Sequence, residues 1–150
     1  MTTLAQETAL LSLVETIATM RTDADGPANL AVVETTLRRG QMPPLHSHDT
    51  DEVFYVLEGT LVVHCGGEPT RLEAGDSFVA PREVPHTHEA ASGGVRYLSL
   101  AFTRSVSRYE DFLRAVAAPG PMNADEMAAL TSIARVNGIT VVGPPGVRTA

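Results

Sequence analysis

The chain has 150 residues, 43% of them apolar, and its 18 acidic against 11 basic side chains give a net charge of −7. That length suits one domain able to bury ~68–70% of its unfolded surface. The apolar fraction excludes a disordered chain, and an acidic balance without a basic cluster argues against nucleic acid or an anionic membrane as partner.

Leu4–Leu13 reads as a helix. From Leu30 the chain becomes a series of β-prone segments separated by turn chemistry. Leu30–Leu37 runs into Arg38, Arg39, Gly40 and the Pro43–Pro44 pair. Val53–Leu57 ends at Glu58 and Gly59, and Leu61–Cys65 ends at Gly66 and Gly67. Thr70–Leu72 precedes Gly75 and Asp76, and Phe78–Ala80 runs into Pro81. His86–Glu89 is closed by Ser92, Gly93 and Gly94, and Val95–Phe102 completes the series. Turn signals about every 8–12 residues between such segments predict an all-β sandwich or small barrel. Pro43, Pro44, Pro81 and Pro85 stand at segment edges, where no ladder N–H is needed.

The C-terminal part has a different pattern. Ser107 and Glu110 form a capping-box pattern ahead of Tyr109, Phe112, Leu113 and Val116 at helical spacing. Asn123 and Glu126 start a second helix with a stripe of Met127, Leu130, Ile133 and Ala134, and Asn137–Gly138 ends it. Ile139–Val142 reads as one more strand. The expected organisation is a single domain over 1–150, with a barrel core at about 30–103 and a helical extension at about 105–137.

No apolar run exceeds Val53–Leu57, which is too short to span a bilayer. Residues 1–20 lack a basic segment followed by an apolar one, so no secretory signal is read. The lone Cys65 excludes an internal disulfide framework, which fits a reducing, cytoplasmic setting.

All five histidines lie between His46 and His88. His46 and His48 stand two apart, so on a strand both rings project from one face with Cα atoms ~6.6 Å apart, close enough to share a metal. Glu52 has the same parity, yet a straight strand would place it ~13 Å from His48. The chain must therefore bend, and Asp49, Thr50 and Asp51 are suitable turn residues. His86, arriving from a later strand, can complete three neutral imidazoles and one carboxylate. Such a set suits one divalent transition ion, and Fe, Ni, Mn, Co and Zn all remain open.

The spacing is more specific than a lone pair of histidines. Gly40, five residues, His46-x-His48, three residues, Glu52, six residues, Gly59 arises at a given start with a chance on the order of 5 × 10⁻⁷ from composition alone. Gly40–Gly59 resembles the first motif of the cupin superfamily at every defining position. A second motif follows from Gly75 through Pro81 to His86. The resemblance covers roughly Leu30–Phe102 and implies a double-stranded β-helix barrel of jelly-roll type, holding a metal inside by His46, His48, Glu52 and His86. Two positions depart from the second motif, Glu83 in place of the usual Gly and Ala90 in place of Asn. Neither supplies a ligand, but the loop before His86 is open to reshaping. Glu52–Gly59 and the C-terminal helix with its Gly138–Pro145 tail further resemble single-domain, quercetin-dioxygenase-like cupins.

That resemblance implies a metal-dependent dioxygenase acting on a small aromatic or enolisable compound. Glu52 would be ligand and catalytic base, taking a proton from a bound enol or phenol. Two alternatives keep the fold but not the chemistry: an isomerase or polyketide-type cyclase, and a non-catalytic binding module. By parity Phe54 and Val56 should line the cavity, with Leu45, Phe78 and Phe102. His88, two beyond His86, either faces that cavity as a hydrogen-bond donor or is satisfied by a carbonyl. His64 and Cys65 read as structural residues. Val53, Tyr55 and Leu57 are apolar on the opposite face, which calls for an outer cover: the Tyr109–Val116 helix or a second subunit, hence an expected homodimer.

Overall fold

The computed structural model describes residues 30–102, 109, 111–113, 123–143 and 148. The expected Leu4–Leu13 helix lies outside them, and of the expected Tyr109–Val116 helix only Tyr109 and Asp111–Leu113 are described, with helical backbone. The strands are β1 (Leu30–Leu37), β2 (Leu45–His48), β3 (Glu52–His64), β4 (Thr70–Glu73), β5 (Ser77–Ala80) and β6 (Thr87–Phe102). Helix α1 (Ala124–Val136) and strand β7 (Ile139–Gly143) follow. The result is a β-barrel with a helical appendage, as the strand and turn pattern predicts.

Two sheets form it. In the larger, β3 is central: β6 runs antiparallel along one edge, while β5 and then β4 occupy the other, and β1 closes the far side of β6. In the smaller, β2 pairs antiparallel with β7, and an isolated bridge joins His46 to His86. Inward-facing Phe54, Val56, Leu61, Val63 and Leu72 fill the space between them with Leu37, Val95 and Tyr97. Helix α1 begins at the predicted capping box: Asn123 Oδ1 accepts from Glu126 N–H at 2.9 Å, and Glu126 Oε2 accepts from Asn123 N–H at 2.9 Å. Of its expected apolar stripe, Leu130 and Ala134 are the buried members. Among the described residues no helix is long and apolar enough to cross a membrane.

Two expected turns are instead bends inside long strands. Glu58–Gly59 does not separate two strands, and neither does Ser92–Gly94; β3 and β6 pass straight through them. The register between the two shifts at Val56/Glu58 and again at Gly59/Leu61. Ladder pairing resumes from Leu61↔Ala90 to Gly59↔Val95, so β6 carries the larger bulge. Gly59 has φ 81°, and a Cβ built on it would overlap the Gly94 carbonyl oxygen. Glycine is needed there because two backbones touch, not because the chain reverses. The bulge also inverts side-chain parity along β6: His88 and Ala90 face inward before it, and Val95, Tyr97, Ser99 and Ala101 after it.

The outer cover differs from expectation as well. Tyr109 and Leu113, one helical turn apart, bury against Ala31, Val33, Ala101, Ala134 and Ile139 in the interior. Tyr55 and Val79 on the outer face of the sheet stay 41% and 53% exposed.

Candidate metal centre

His46 and His48 come from β2, Glu52 opens β3, and His86 stands just ahead of β6. The bend required between His48 and Glu52 is where the chain leaves one sheet for the other. Each of its residues is tied down. Asp49 N–H donates to the Gly138 carbonyl at 2.8 Å, and Thr50 Oγ1 donates to the Phe102 carbonyl at 3.0 Å. Asp51 Oδ1 accepts from Arg82 N–H at 2.9 Å. His86 is placed by a reciprocal backbone pair with His46, at 3.1 and 2.8 Å.

Glu83 resolves the question raised by its departure from the motif. It adopts φ 65°, the left-handed conformation that a glycine takes without strain, and its N–H donates to the His48 carbonyl at 2.7 Å. The loop keeps the glycine shape with a larger residue in it. Ala90, the second departure, is buried in the core opposite Leu61.

The four side chains converge. One ligand atom from each of His46, His48, Glu52 and His86 lies within 4.8 Å of all the others. The three ring centroids are 5.0, 4.6 and 5.5 Å apart. His46 Nδ1–H donates to the Pro44 carbonyl at 2.7 Å, and His86 Nδ1–H donates to the Val84 carbonyl at 3.0 Å. Those bonds fix the tautomers and leave Nε2 for the centre, as outer hydrogen bonds do for metal-binding imidazoles. His48 Nε2 is fully buried, 2.9 Å from Glu52 Oε2, without hydrogen-bond geometry to it or to any other group among the described residues. Glu52 Oε2 lies 3.0 Å from His86 Nε2.

The electrostatics agree with a cation site. Burial, with the neighbouring imidazoles of His48 and His86 adding to it, pushes His46 down to about 3, so it is a neutral donor at physiological pH. Burial alone would raise Glu52, but the adjacent imidazoles of His48 and His86, with the hydrogen bond from His86, hold it well below the usual carboxylate range. Burial would lower His86, yet its hydrogen bond to Glu52 raises it. A divalent ion would balance the buried carboxylate and satisfy the His48 nitrogen that has no hydrogen-bond partner among the described residues, so the residues present fit the group. Three nitrogen donors and one oxygen match a borderline transition ion better than Mg or Ca.

A cavity of about 80 Å³ opens beside this cluster, with His46, His48 and Glu52 on its wall. Most of the rest is apolar, including Val33, Leu37, Pro43, Phe112, Leu130 and Val141. The residues expected to line it are not the ones that do. Phe54 and Val56 do point inward, but both are fully buried in packed core, Phe54 with its ring 4.8 Å from His88 and 6.2 Å from His86. Phe78 packs on the same core, Leu45 is buried away from the lining, and Phe102 points outward, 60% exposed. The β6 bulge explains Phe102: after the parity change the odd-numbered residues face in. Tyr97 and Ser99 therefore line the cavity, with Thr35 from β1 and Tyr109 and Leu113 from the helical segment. Val95–Phe102 alternates two sets of similar polarity, so its pattern alone does not choose between them.

His88 does face the cavity. Its partner is a phenol rather than a carbonyl, with Nε2 2.6 Å from Tyr97 Oη. Burial pushes it down to about 4. His64 is structural as expected, its Nε2 2.8 Å from Glu89 Oε1, and Arg148 bonds both oxygens of that carboxylate at 3.0 Å. Cys65 packs half-buried on the core, and burial raises its thiol.

A family model for the cupin domain matches residues 33–100. Residues 33–100 are thus a cupin domain, and it carries a His/Glu cluster that could hold a metal ion. A cupin-like protein from Thermotoga maritima superposes with a TM-score of 0.52 at 22% identity, over 75% of this chain and 81% of that one. KdgF from Halomonas sp. is 30% identical, with a TM-score of 0.47, over 55% of this chain and 73% of that one. A salicylate 1,2-dioxygenase variant from Pseudoaminobacter salicylatoxidans is 32% identical over 47% of this chain, which spans only 19% of that enzyme (TM-score 0.44). No curated protein matches.

Proposed function

We propose that the protein is a metal-dependent cupin enzyme of dioxygenase type, acting on a small aromatic or enolisable compound. One observation carries this reading: three imidazoles and a carboxylate converge, and His46, His48 and Glu52 of that cluster stand on the wall of a mostly apolar cavity. A divalent transition ion bound there supplies Lewis acidity and, where redox-active, one-electron chemistry with oxygen.

The protein's own residues do the rest. His46 and His86 are held in the ligand tautomer by the Pro44 and Val84 carbonyls. Glu52 would accept, at a carboxylate oxygen, the proton that an enol or phenol substrate gives up. Phe112, Leu113 and Leu130 exclude water around the resulting electron-rich carbon framework, which raises the strength of every charge interaction at the centre.

The test is Glu52→Gln, with metal content measured beside oxygen uptake on a panel of flavonols and other enediols. Turnover should collapse in protein that still contains metal. Wild-type turnover at full metal content removes Glu52 from the base role. Conversion that continues without oxygen replaces the dioxygenase with an isomerase or cyclase at the same centre. Protein that rejects Fe, Ni, Mn, Co and Zn alike would sink the metal reading itself.

A further inference from the structure

Opposite the apolar wall the cavity carries a short polar strip that the metal centre does not use. Thr35 and Tyr97 are cross-strand partners on β1 and β6, and Ser99 follows Tyr97 on the same inward face. Tyr97, Thr35, Ser99 and His88 are 3%, 5%, 8% and 6% exposed. Buried polar groups of this kind are almost always fully partnered. Here one is not: His88 Nδ1 is buried with no hydrogen-bond partner among the described residues.

The hydrogen positions follow from that orphan. On a singly protonated His88 ring one nitrogen carries the proton and the other a bare lone pair. If Nε2 accepted from the Tyr97 hydroxyl, Nδ1 would bear a buried N–H with nothing to receive it. If Nε2–H donates to Tyr97 Oη, Nδ1 keeps only an idle lone pair, the cheaper of the two defects. Thr35, across the ladder from Tyr97, is the polar neighbour of the phenol on the same wall. With Nε2–H directed at Oη, the phenol's own proton is left for the cavity.

We propose that the Tyr97 hydroxyl is a specificity-determining donor, selecting ligands that carry a second, uncharged acceptor such as a ketone or ester carbonyl beside the oxygen given to the metal. His88 and Thr35 are positioning residues for that proton, and Ser99 borders the same spot. Because the strip is neutral, it distinguishes acceptors by geometry rather than by charge. This rests on the reading of the cavity as a metal-assisted small-molecule site.

The experiment measures binding rather than turnover. Protein loaded with Co(II) is titrated with catechol and with catechols bearing an acetyl group at ring position 3 or 4. In the wild type at least one acetyl isomer should bind about 3–10-fold tighter than catechol, the range for one net hydrogen bond. Tyr97→Phe should abolish that gain, measured against catechol in the same variant. The near-isosteric Thr35→Val keeps the phenol and should reduce the gain, a check that does not depend on the fold tolerating the loss of the phenol. The proposal is overturned if neither acetyl isomer gains, or if the gain survives in Tyr97→Phe. Failure of catechol to bind the loaded wild type, or equal binding to the chelated protein, overturns the metal reading instead.

Discussion

Replacing Gly59 by alanine separates two reasons for a glycine in the barrel. Gly59 and Gly75 both adopt the left-handed region, at φ 81° and 92°. An alanine in that region costs about 1–2 kcal/mol, offset in part by about 0.4–1 kcal/mol from the stiffer unfolded chain. Both terms are common to the two sites and cancel in the comparison. A Cβ on Gly75 meets nothing within 4 Å, whereas one on Gly59 meets the Gly94 carbonyl oxygen and the Val95 Cα. The obstacle is backbone, so no rotamer relieves it, and β3 and β6 must part. Overpacking of this kind costs about 1–3 kcal/mol. Gly75→Ala should therefore lose about 1 kcal/mol and Gly59→Ala about 2–4 kcal/mol. Urea unfolding by circular dichroism, with m unchanged, measures both. Equal losses, within about 0.5 kcal/mol, would refute the claim that this bulge is held by contact between two backbones.

Three further outcomes are expected. Glu83→Gly removes a left-handed non-glycine residue and should raise stability by about 0.5–1 kcal/mol after the entropy of the unfolded glycine is counted, read as a higher urea midpoint. Adding metal to chelated protein at about a hundred times its Kd should stabilise it by about 2.7 kcal/mol, a rise of roughly 5–10 °C in Tm, and Glu52→Gln should blunt that response. In the chelated protein His88 is held neutral from the usual 6.5 down to about 4, so its share of stability is complete above 6.5 and is lost as the pH falls through that window. By pH 5 about 2 kcal/mol of that share is lost, and His88→Gln should flatten the pH 7 to pH 5 difference in urea midpoint by a comparable amount. An unchanged slope in that variant assigns the acid sensitivity to His46 instead.

What was legible in the sequence was the part that depends on local spacing. His46 and His48 share a face because a strand has a period of two, and the need for a bend before Glu52 followed from the rise per residue. The capping box at Asn123, the helix stop at Gly138 and most strand limits are likewise set by neighbours in the chain. The cavity wall was not legible, and its errors have one main source. Gly59 and Gly94 read as turns, because a glycine that permits a reversal and one that permits contact between backbones look alike in sequence. Only the register between β3 and β6 shows that both strands continue and that the bulge inverts parity. That inversion turns Phe102 out and Tyr97 and Ser99 in. The helix half of the outer-cover expectation was not legible for a related reason: Tyr109 and Leu113 present an apolar stripe to whichever surface buries it, and that surface is the core around Ala31, Val33 and Ala101.

The sequence by itself determined which donors to expect, since His46, His48 and Glu52 stand at one motif's spacing and His86 ends a second; the His46–His86 backbone pair that brings the two together is tertiary. Tertiary structure alone decided what a ligand at that centre would touch. Each cavity wall is assembled from strands whose relative register is a long-range property, and a shift of one residue exchanges every inward side chain for its outward neighbour.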